Sequence, residues 1–235
     1  MADVQTISAV TKFCIDNLDL DTAELGYEYY YASMPLCVVD AVFSIGVRYE
    51  GVQNTIQRLC SYYKIQQAAK EKRTVPSIDE QLSTTDFLKL FSDKTPEQLA
   101  NEVYKNRQRT STHNGILKAE AVIRFLKVLK DFNAEYFQDI PRLIDNYSFE
   151  FCIKAIPGQG SGISLKYFFM LAGTDDFIKP DRMIIRFLQD ATGQKFNLAQ
   201  CQTILYGVTS ELNKQGHNLT PKLLDNIIWN YQRTA

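Results

Sequence analysis

The 235-residue sequence has few of the residues that build metal centres. It contains five cysteines and two histidines, and no two cysteines have Cys-x-x-Cys spacing. Structural zinc and iron–sulfur sites need clusters of such ligands, so we expect neither a zinc site nor an iron–sulfur cluster. The cysteines are expected to be reduced thiols in or beside the core, as in a cytoplasmic protein. With two histidines in polar loop contexts, no Ser-His-Asp triad can be argued.

Long apolar runs are also absent. No run approaches 18 residues, the length that a membrane-spanning helix needs, so we expect no membrane partner. The first ten residues, "MADVQTISAV", lack the basic start and apolar stretch of a signal peptide. Both observations favour a cytoplasmic location.

The alternation of apolar and polar residues that marks β-strands is scarce. Helical spacing is common instead, and one segment forms a clear apolar stripe: Ile116, Ala119, Ile123, Leu126 and Leu129. Helix-start signals occur at Ser83 and at Thr95, where Pro96 follows as the first helical residue. We therefore predict an all-α protein of about ten short helices, with residues 68–85 as its clearest loop.

The net charge of −1 conceals an asymmetry. Residues 1–100 carry 9 Lys and Arg against 14 Asp and Glu, whereas residues 101–235 carry 17 against 13. Between Lys105 and Lys130 there are seven basic residues and a single acid, Glu120. Such a patch suits a polyanionic partner, although charge alone favours an ordinary solvated helix face.

The segment "IPGQGSG", residues 156–162, lies between two segments with helical patterns. Glycine-rich turns that open a helix favour phosphate binding, because the N–H groups there are unpaired. The segment lacks the lysine of a P-loop, and its G-x-G-x-G spacing is not that of a dinucleotide-binding turn. Two interpretations stay open: a turn whose N–H groups hold a nucleic-acid phosphate, and an ordinary turn between packed helices.

This segment and the residues after it resemble the helix–hairpin–helix (HhH-GPD) superfamily of base-excision DNA glycosylases, and the chain is similar to a divergent bacterial member. That family has an apolar residue, Pro-Gly-x-Gly, a helix, and then an aspartate that opens the next helix and is followed by an arginine. The matching residues are Ile156, Pro157, Gly158, Gly160, Asp181 and Arg186. The resemblance covers roughly residues 30–235 and is weak in the first third.

The resemblance implies a helix–hairpin–helix glycosylase-like fold. In it, residues 1–235 form a single unit with two helical lobes and a cleft between them. One lobe would be residues 36–145. The other would be residues 1–35 plus 146–235, with the hairpin at 156–162 and the terminal helices.

The resemblance also implies a chemistry. The protein would bind double-stranded DNA that carries a modified base or an abasic site, and Asp181 would be the catalytic carboxylate that stabilises an oxocarbenium-like sugar and can orient a water. Gly162 stands where lyase-active members keep a Schiff-base lysine, and Lys166 lies one helical turn further on. Any activity would therefore be monofunctional, leaving an abasic site. The residues expected to contact DNA are Gly158, Gln159, Gly160, Ser161 and Gly162 of the hairpin, with Lys105, Arg107 and Arg109 of the loop "KNRQRTSTHNG".

Three further expectations follow from the resemblance. The base pocket would use Ser44, Arg48 and Tyr49, at the end of the first core helix. A structural Na+ or K+ could bind the carbonyls of Ile156 and Gln159, with no other cofactor, and the protein would be a monomer. Two alternatives stay open: a catalytically inactive DNA-binding module of the same fold, and an all-α scaffold with an ordinary glycine turn. Asp181 also has a plain interpretation as a helix N-cap, and the two roles can coexist.

Overall fold

The computed structural model of the protein describes residues 3–47 and 49–234, without the side chain of Thr234. The described part is all-helical and has two isolated β-bridges but no strand, which confirms the predicted all-α class. It divides into two compact units, one of residues up to Leu25 with those from Thr174 onward, and one of Gly26–Gly173. These bounds differ from those of the predicted lobes, because the glycine segment and residues 36–145 fall in the same, larger unit.

The α-helices follow one another along the whole described chain. The smaller unit contains α1 and α9–α11, and the larger unit contains α2–α8. In chain order the helices are α1 Val4–Asn17, α2 Met34–Phe43, α3 Tyr49–Tyr63, α4 Thr84–Leu90, α5 Pro96–Gln98, α6 Lys118–Asp131, α7 Tyr147–Lys154, α8 Ile163–Ala172, α9 Arg182–Thr192, α10 Leu198–Lys214 and α11 Pro221–Thr234. Helix α5 continues as a π-helical turn, Leu99–Val103, and 3-10 turns occupy Tyr27–Tyr29, Ile78–Glu80 and Phe137–Arg142.

The predicted helix starts at Ser83 and Thr95 are confirmed. The Ser83 hydroxyl accepts a hydrogen bond from the Asp86 N–H at 3.0 Å, at the start of α4. Thr95 and Gln98 form a reciprocal capping box, in which each side chain accepts from the backbone N–H of the other residue. The predicted loop, residues 68–85, contains no α-helix as far as Ser83, but its last two residues belong to α4.

Helix α2 forms the centre of the larger unit. All ten of its residues are buried, and it packs on α6 and α8. Its one charged residue, Asp40, accepts hydrogen bonds from the hydroxyl groups of Tyr31 at 2.8 Å and Ser44 at 2.6 Å. Burying a carboxyl group is costly unless it is hydrogen-bonded, so these hydroxyls offset the cost of placing Asp40 in an apolar core.

The carboxyl end of α2 is held by a buried lysine of α6. The Lys118 ammonium, on a residue that is 2% exposed, donates to the carbonyl oxygens of Phe43 at 2.9 Å and Ile45 at 2.8 Å. It also donates to Gln108 Oε1 at 3.2 Å. The last carbonyls of a helix have no partner within the helix and usually bind water. At this buried helix end, the Lys118 ammonium takes the place of water as the donor.

The smaller unit has its own core. Helix α1 packs on α9 and α10, and α9 packs on α11. The ring of Phe187 on α9 lies at its centre, in edge-to-face contact with Phe13 at 5.2 Å and Tyr231 at 5.9 Å between centroids. Within the described ranges, no helix of either unit has the length and apolar character needed to cross a membrane.

The buried lysine gives a first prediction. The change Lys118→Met keeps an apolar chain of similar length but leaves the carbonyls of Phe43 and Ile45 without donors. We expect the free energy of unfolding to fall by about 2–4 kcal/mol, measured by urea unfolding. The same change at Lys127, which is exposed on α6, should alter it by less than about 0.5 kcal/mol. Equal effects of the two changes would contradict the role assigned to Lys118.

Candidate functional site

The glycine segment forms a tight turn between α7 and α8, which we call the glycine hairpin (residues 156–162). The Gln159 N–H donates to the Ile156 carbonyl at 2.9 Å, and the Gly162 N–H donates to the Gln159 carbonyl at 3.0 Å. Gly158 and Gly162 have φ values of 83° and 75°, in the left-handed region that favours glycine. The turn itself therefore requires two of the three glycines.

The conformation of the turn does not require the third glycine, Gly160, because its φ is not in the left-handed region. It is exposed, and a Cβ atom added there would meet only the Lys154 carbonyl oxygen, at an ordinary 3.8 Å. Within the described part of the chain, no acceptor is found for the N–H groups of Gly160 and the exposed Ser161. The tip of the hairpin thus presents bare backbone donors just before the N-terminus of α8.

The two other predicted features of the hairpin concern Gln159 and a cation. The Gln159 residue is 3% exposed and its side-chain oxygen accepts from the Ser164 hydroxyl, so this side chain holds the turn rather than facing outward. The carbonyls of Ile156 and Gln159 each accept one hydrogen bond within the turn and keep a second lone pair, so they fit the predicted Na+ or K+, which stays a prediction. Among residues 3–47 and 49–234, no group of three or more His, Cys, Asp or Glu side chains could hold a metal ion.

The loop that carries Lys105, Arg107 and Arg109 lies against this hairpin. These three basic residues are exposed. The loop folds back on itself, and the Thr110 N–H donates a hydrogen bond to the Ile116 carbonyl at 2.9 Å. A Cβ atom on Gly158 would lie 2.4 Å from the Thr110 Cβ. The backbone of the hairpin at Gly158 is therefore in contact with the Thr110 side chain of the loop. The structure therefore brings both predicted DNA-contacting segments together in the larger unit.

The cationic patch is smaller than the sequence suggests. Of the seven basic residues between Lys105 and Lys130, Lys118 is buried and Arg124 is paired with Glu120 at 2.5 Å. Arg109 is exposed, but its guanidinium Nε donates to the Gly115 carbonyl at 2.9 Å. Several of these charges thus stabilise the fold locally, and the positive charge left beside the hairpin is modest.

Two of the three predicted base-pocket residues, Ser44 and Tyr49, lie near Asp40. Ser44 is buried and donates to Asp40, while Tyr49 is half-buried at the start of α3. The Tyr167 hydroxyl of α8 also lies 3.3 Å from Asp40 Oδ2. Burial, with the charge of Asp40, raises the pKa of Tyr49 far above its usual value, so this phenol is neutral. Arg48, the third predicted residue, lies outside the described residues.

Asp181 directly precedes α9 as its N-cap residue, in the smaller unit. It is half-buried and its Oδ1 accepts a hydrogen bond from the Met183 N–H at 2.8 Å, which confirms the N-cap interpretation. The Arg186 guanidinium, one turn further on, donates to the backbone carbonyl and the side-chain oxygen of Gln232. Arg186 thus ties α9 to the end of α11.

A second carboxyl group in the smaller unit, that of Asp225 on α11, is buried, which the sequence does not predict. It is 4% exposed, and its Oδ1 accepts from the Lys179 N–H at 3.0 Å. Burial, and then the nearby charge of Asp181, raise the pKa of Asp225 well above its usual value, while the backbone hydrogen bond and the charge of Lys179 lower it by less. The carboxyl group of Asp225 therefore keeps its proton to a higher pH than an exposed aspartate does.

The sequence gives no signal for this burial. The apolar residues of "TPKLLDNIIW" are Leu223, Leu224, Ile227 and Ile228, and their spacing assigns Lys222 and Asp225 to the solvent face. In the structure the segment 174–180 lies over that face. The Lys222 N–H donates to the Asp175 carbonyl at 3.0 Å, and Lys222 is 3% exposed.

A separate groove lies between α1 and α10 in the smaller unit. Its volume is about 530 Å³, and none of the predicted site residues lines it. The lining residues are Val4, Ile7, Ser8, Thr11, Lys12, Ile15, Glu211 and Gln215.

Comparison with known proteins gives a family and no function. The sequence profile of DUF8548, described as a domain of unknown function, matches residues 8–233. No curated protein and no solved structure matches the chain.

The raised pKa of Asp225 predicts a pH dependence. Well below pH 3.8 the carboxyl group is neutral in the folded and the unfolded protein, whereas between 3.8 and its raised folded pKa it ionises more readily in the unfolded chain than in the folded protein. The free energy of unfolding of the native protein therefore falls as the pH rises from 3.8 toward the folded-state pKa of Asp225, by up to about 1.4 kcal/mol per pH unit. We expect the free energy of unfolding of Asp225→Asn to increase relative to the native protein between pH 4.5 and 7.5.

Urea unfolding at pH 4.5, 6.0 and 7.5 checks this expectation. The matched control is Asp176→Asn, since Asp176 is exposed in the segment that covers α11. A difference between native protein and Asp225→Asn that stays constant with pH would show that Asp225 is ionised in the folded state.

Proposed function

The chain belongs to the DUF8548 family, and we propose that it is a DNA-binding protein that removes a modified base by hydrolysis. The glycine hairpin binds the phosphate backbone of double-stranded DNA, and Asp181 acts on the sugar whose base leaves. The product is an abasic site. The bare tip of the hairpin is the observation on which this proposal chiefly rests.

The hairpin has the features that a phosphate needs. The unengaged N–H groups of Gly160 and Ser161 lie beside the N-terminus of α8, a ten-residue helix whose dipole favours negative charge there. The space beside Gly160, where any other residue would place a Cβ, is open. An oxygen of the DNA backbone can therefore approach the main chain directly.

Basic side chains near the hairpin supply positive charge for contacts with DNA phosphates of any sequence. Lys105 and Arg107 are exposed on the loop that touches Gly158. Lys154, at the end of α7, lies beside Gly162 and is 2.6 Å from Glu150. Contacts of this kind position DNA without reading its sequence, and their strength falls with salt.

Asp181 supports the catalytic part of the proposal. As an N-cap it keeps its carboxyl group at a helix start, where the dipole stabilises a negative charge. A carboxylate so held can stabilise positive charge on a sugar as the glycosidic bond breaks. No lysine stands at position 162, so the mechanism is hydrolysis rather than strand cleavage through a Schiff base.

The first test compares two changes at Gly160 in duplex-DNA binding, measured by fluorescence anisotropy over a salt titration. Gly160→Asp places a negative charge at the proposed phosphate site, and we expect at least a tenfold loss of affinity. Gly160→Ala adds only a methyl group into open space, and we expect less than a threefold change. The native protein should lose affinity steeply with salt, with a log–log slope of about −0.9 for each phosphate contacted.

Two results would overturn the DNA-binding proposal. One is that the native protein binds no duplex, abasic or single-stranded DNA. The other is that Gly160→Asp and Gly160→Ala bind equally well while their helical content, measured by circular dichroism, equals that of the native protein. Either result would leave the hairpin as an ordinary turn between packed helices.

The catalytic role of Asp181 is tested with Asp181→Asn. Asparagine is as good an N-cap as aspartate, so the free energy of unfolding should change by less than about 0.5 kcal/mol. Base release from modified duplex DNA should fall by a factor of about 100 or more. Native protein that binds DNA but releases no modified base would identify the inactive DNA-binding alternative instead.

A further inference from the structure

Helix α7, which leads into the glycine hairpin, has aromatic side chains on both of its faces. Its inner face carries Phe149, which is buried and packs edge-to-face on Phe125 and Phe132. Its outer face carries Tyr147 and Phe151, which are 79% and 64% exposed. In the described part of the chain these are the two most exposed aromatic residues, and we call them the aromatic pair.

The two rings of the aromatic pair lie side by side on the outside of the helix. Their centroids are 6.5 Å apart, and the angle between their planes is 26°. Residues four apart on a helix support each other to a small extent, but the core does not need this pair, because Phe149 and Ile153 are the buried residues of α7. Two neighbouring rings left in water suit a partner that has flat apolar faces.

The aromatic pair shares one stripe of α7 with a lysine that borders the hairpin. Tyr147, Phe151 and Lys154 are spaced four and three residues apart, so their side chains follow one line along the helix. A Cβ atom on Gly162 would lie 2.8 Å from Lys154 Cε. Because a helix rises by 1.5 Å per residue, Phe151 lies about 5 Å and Tyr147 about 10 Å along the axis from Lys154. The aromatic pair therefore continues the surface of the hairpin.

The charges along this stripe are compatible with a polyanion at the hairpin end. Glu150 is the one acid of α7, and its carboxylate lies 2.6 Å from the Lys154 ammonium, so the two charges cancel locally. Asp145 is exposed before the start of α7, at the end away from the hairpin. At the hairpin end, the N–H groups of Gly160 and Ser161 have no acceptor among the described residues. Phosphate donors and aromatic rings thus lie next to each other on one surface of the larger unit.

We propose that the glycine hairpin and the aromatic pair form one site for DNA that contains unpaired bases. The hairpin holds the phosphates, and the rings of Tyr147 and Phe151 stack on the bases of an adjoining single-stranded stretch. This inference rests on the DNA-binding part of the function proposed above. Aromatic side chains stack on the face of any base, so the site tolerates every sequence. The faces of paired bases are covered by their neighbours in a duplex, so the substrate class is DNA with a single-stranded gap, bulge or end.

The experiment measures binding of the complete chain to three fluorescein-labelled probes: a short single-stranded DNA, the corresponding duplex, and a single strand of equal length made of abasic units. The variants are Tyr147→Ala and Phe151→Ala, with Tyr206→Ala as the control, since Tyr206 is 58% exposed on α10. For the single strand we expect each of the first two variants to lose affinity by a factor of about 5 to 100. For the duplex and the abasic strand we expect less than a twofold loss, because neither offers a free base.

Two further comparisons separate stacking from charge and from loss of the fold. Phe151→Trp keeps an aromatic ring, so it should bind the single strand at least as tightly as the native protein. Stacking releases no counterions, so the alanine variants should lower affinity by the same factor at every salt concentration and leave the log–log salt slope unchanged. Gly160→Asp, in contrast, should weaken binding to all three probes, most strongly at low salt.

A fluorescent base observes the stacking directly. The base 2-aminopurine, placed in the single strand, loses fluorescence when it stacks on an aromatic ring. At protein concentrations that saturate the probe, the native protein should quench this fluorescence, and a variant with both Tyr147→Ala and Phe151→Ala should quench it less. Both side chains are exposed, so the variants are expected to fold, and circular dichroism checks that their helical content equals that of the native protein.

Each other outcome identifies what fails. If Tyr147→Ala and Phe151→Ala bind the single strand as the native protein does, or lose as much affinity for the abasic strand, the aromatic pair does not stack on bases and the DNA-binding proposal stays intact. An equal loss in Tyr206→Ala, or native binding to the duplex alone, would overturn the role of the pair in the same way. Native protein that binds none of the three probes would overturn the proposed function, and the role of the pair with it.

Discussion

The larger unit depends on a helix that has no side facing solvent. Every residue of α2 is buried, so its polar groups must be satisfied by other parts of the chain. The Lys118 ammonium supplies donors to its last carbonyls, and the hydroxyls of Tyr31 and Ser44 surround Asp40. Helix α8, which begins at the glycine hairpin, packs on α2, so the position of the hairpin follows from the burial of this one helix.

The hairpin and Asp181 illustrate how structural and functional demands can fall on the same residues. Gly158 and Gly162 are required by the left-handed backbone of the turn, and Asp181 is required as an N-cap. None of these requirements conflicts with binding a phosphate or acting on a sugar. Gly160 differs from them, because no contact or backbone angle in the turn accounts for it.

Local signals in the sequence predicted local structure. The caps at Ser83, Thr95 and Asp181 are one-residue patterns whose hydrogen bonds lie within three residues, and all three are present. The all-α class followed from helical spacing, which is also a short-range property. The exposed loop of Lys105 and Arg107 was likewise readable from composition.

Features set by distant parts of the chain were not predictable. Lys118 counted as one more basic residue of a cationic patch, because nothing nearby in sequence shows that α2 ends beside it. Asp225 had the spacing of a solvent-facing residue, and only the covering segment 174–180 buries it. Periodicity reports which side of a helix is apolar, but it does not report whether a loop covers the polar side.

The contact between Thr110 and Gly158 joins two stretches of chain that are almost fifty residues apart. There is no room between them for even one extra methyl group, because a Cβ at 158 would overlap the Thr110 side chain. The left-handed backbone at position 158 favours glycine as well, so two independent constraints exclude a side chain there. The loop and the hairpin therefore meet through a residue without a side chain, and a substitution at position 158 would displace both segments at once.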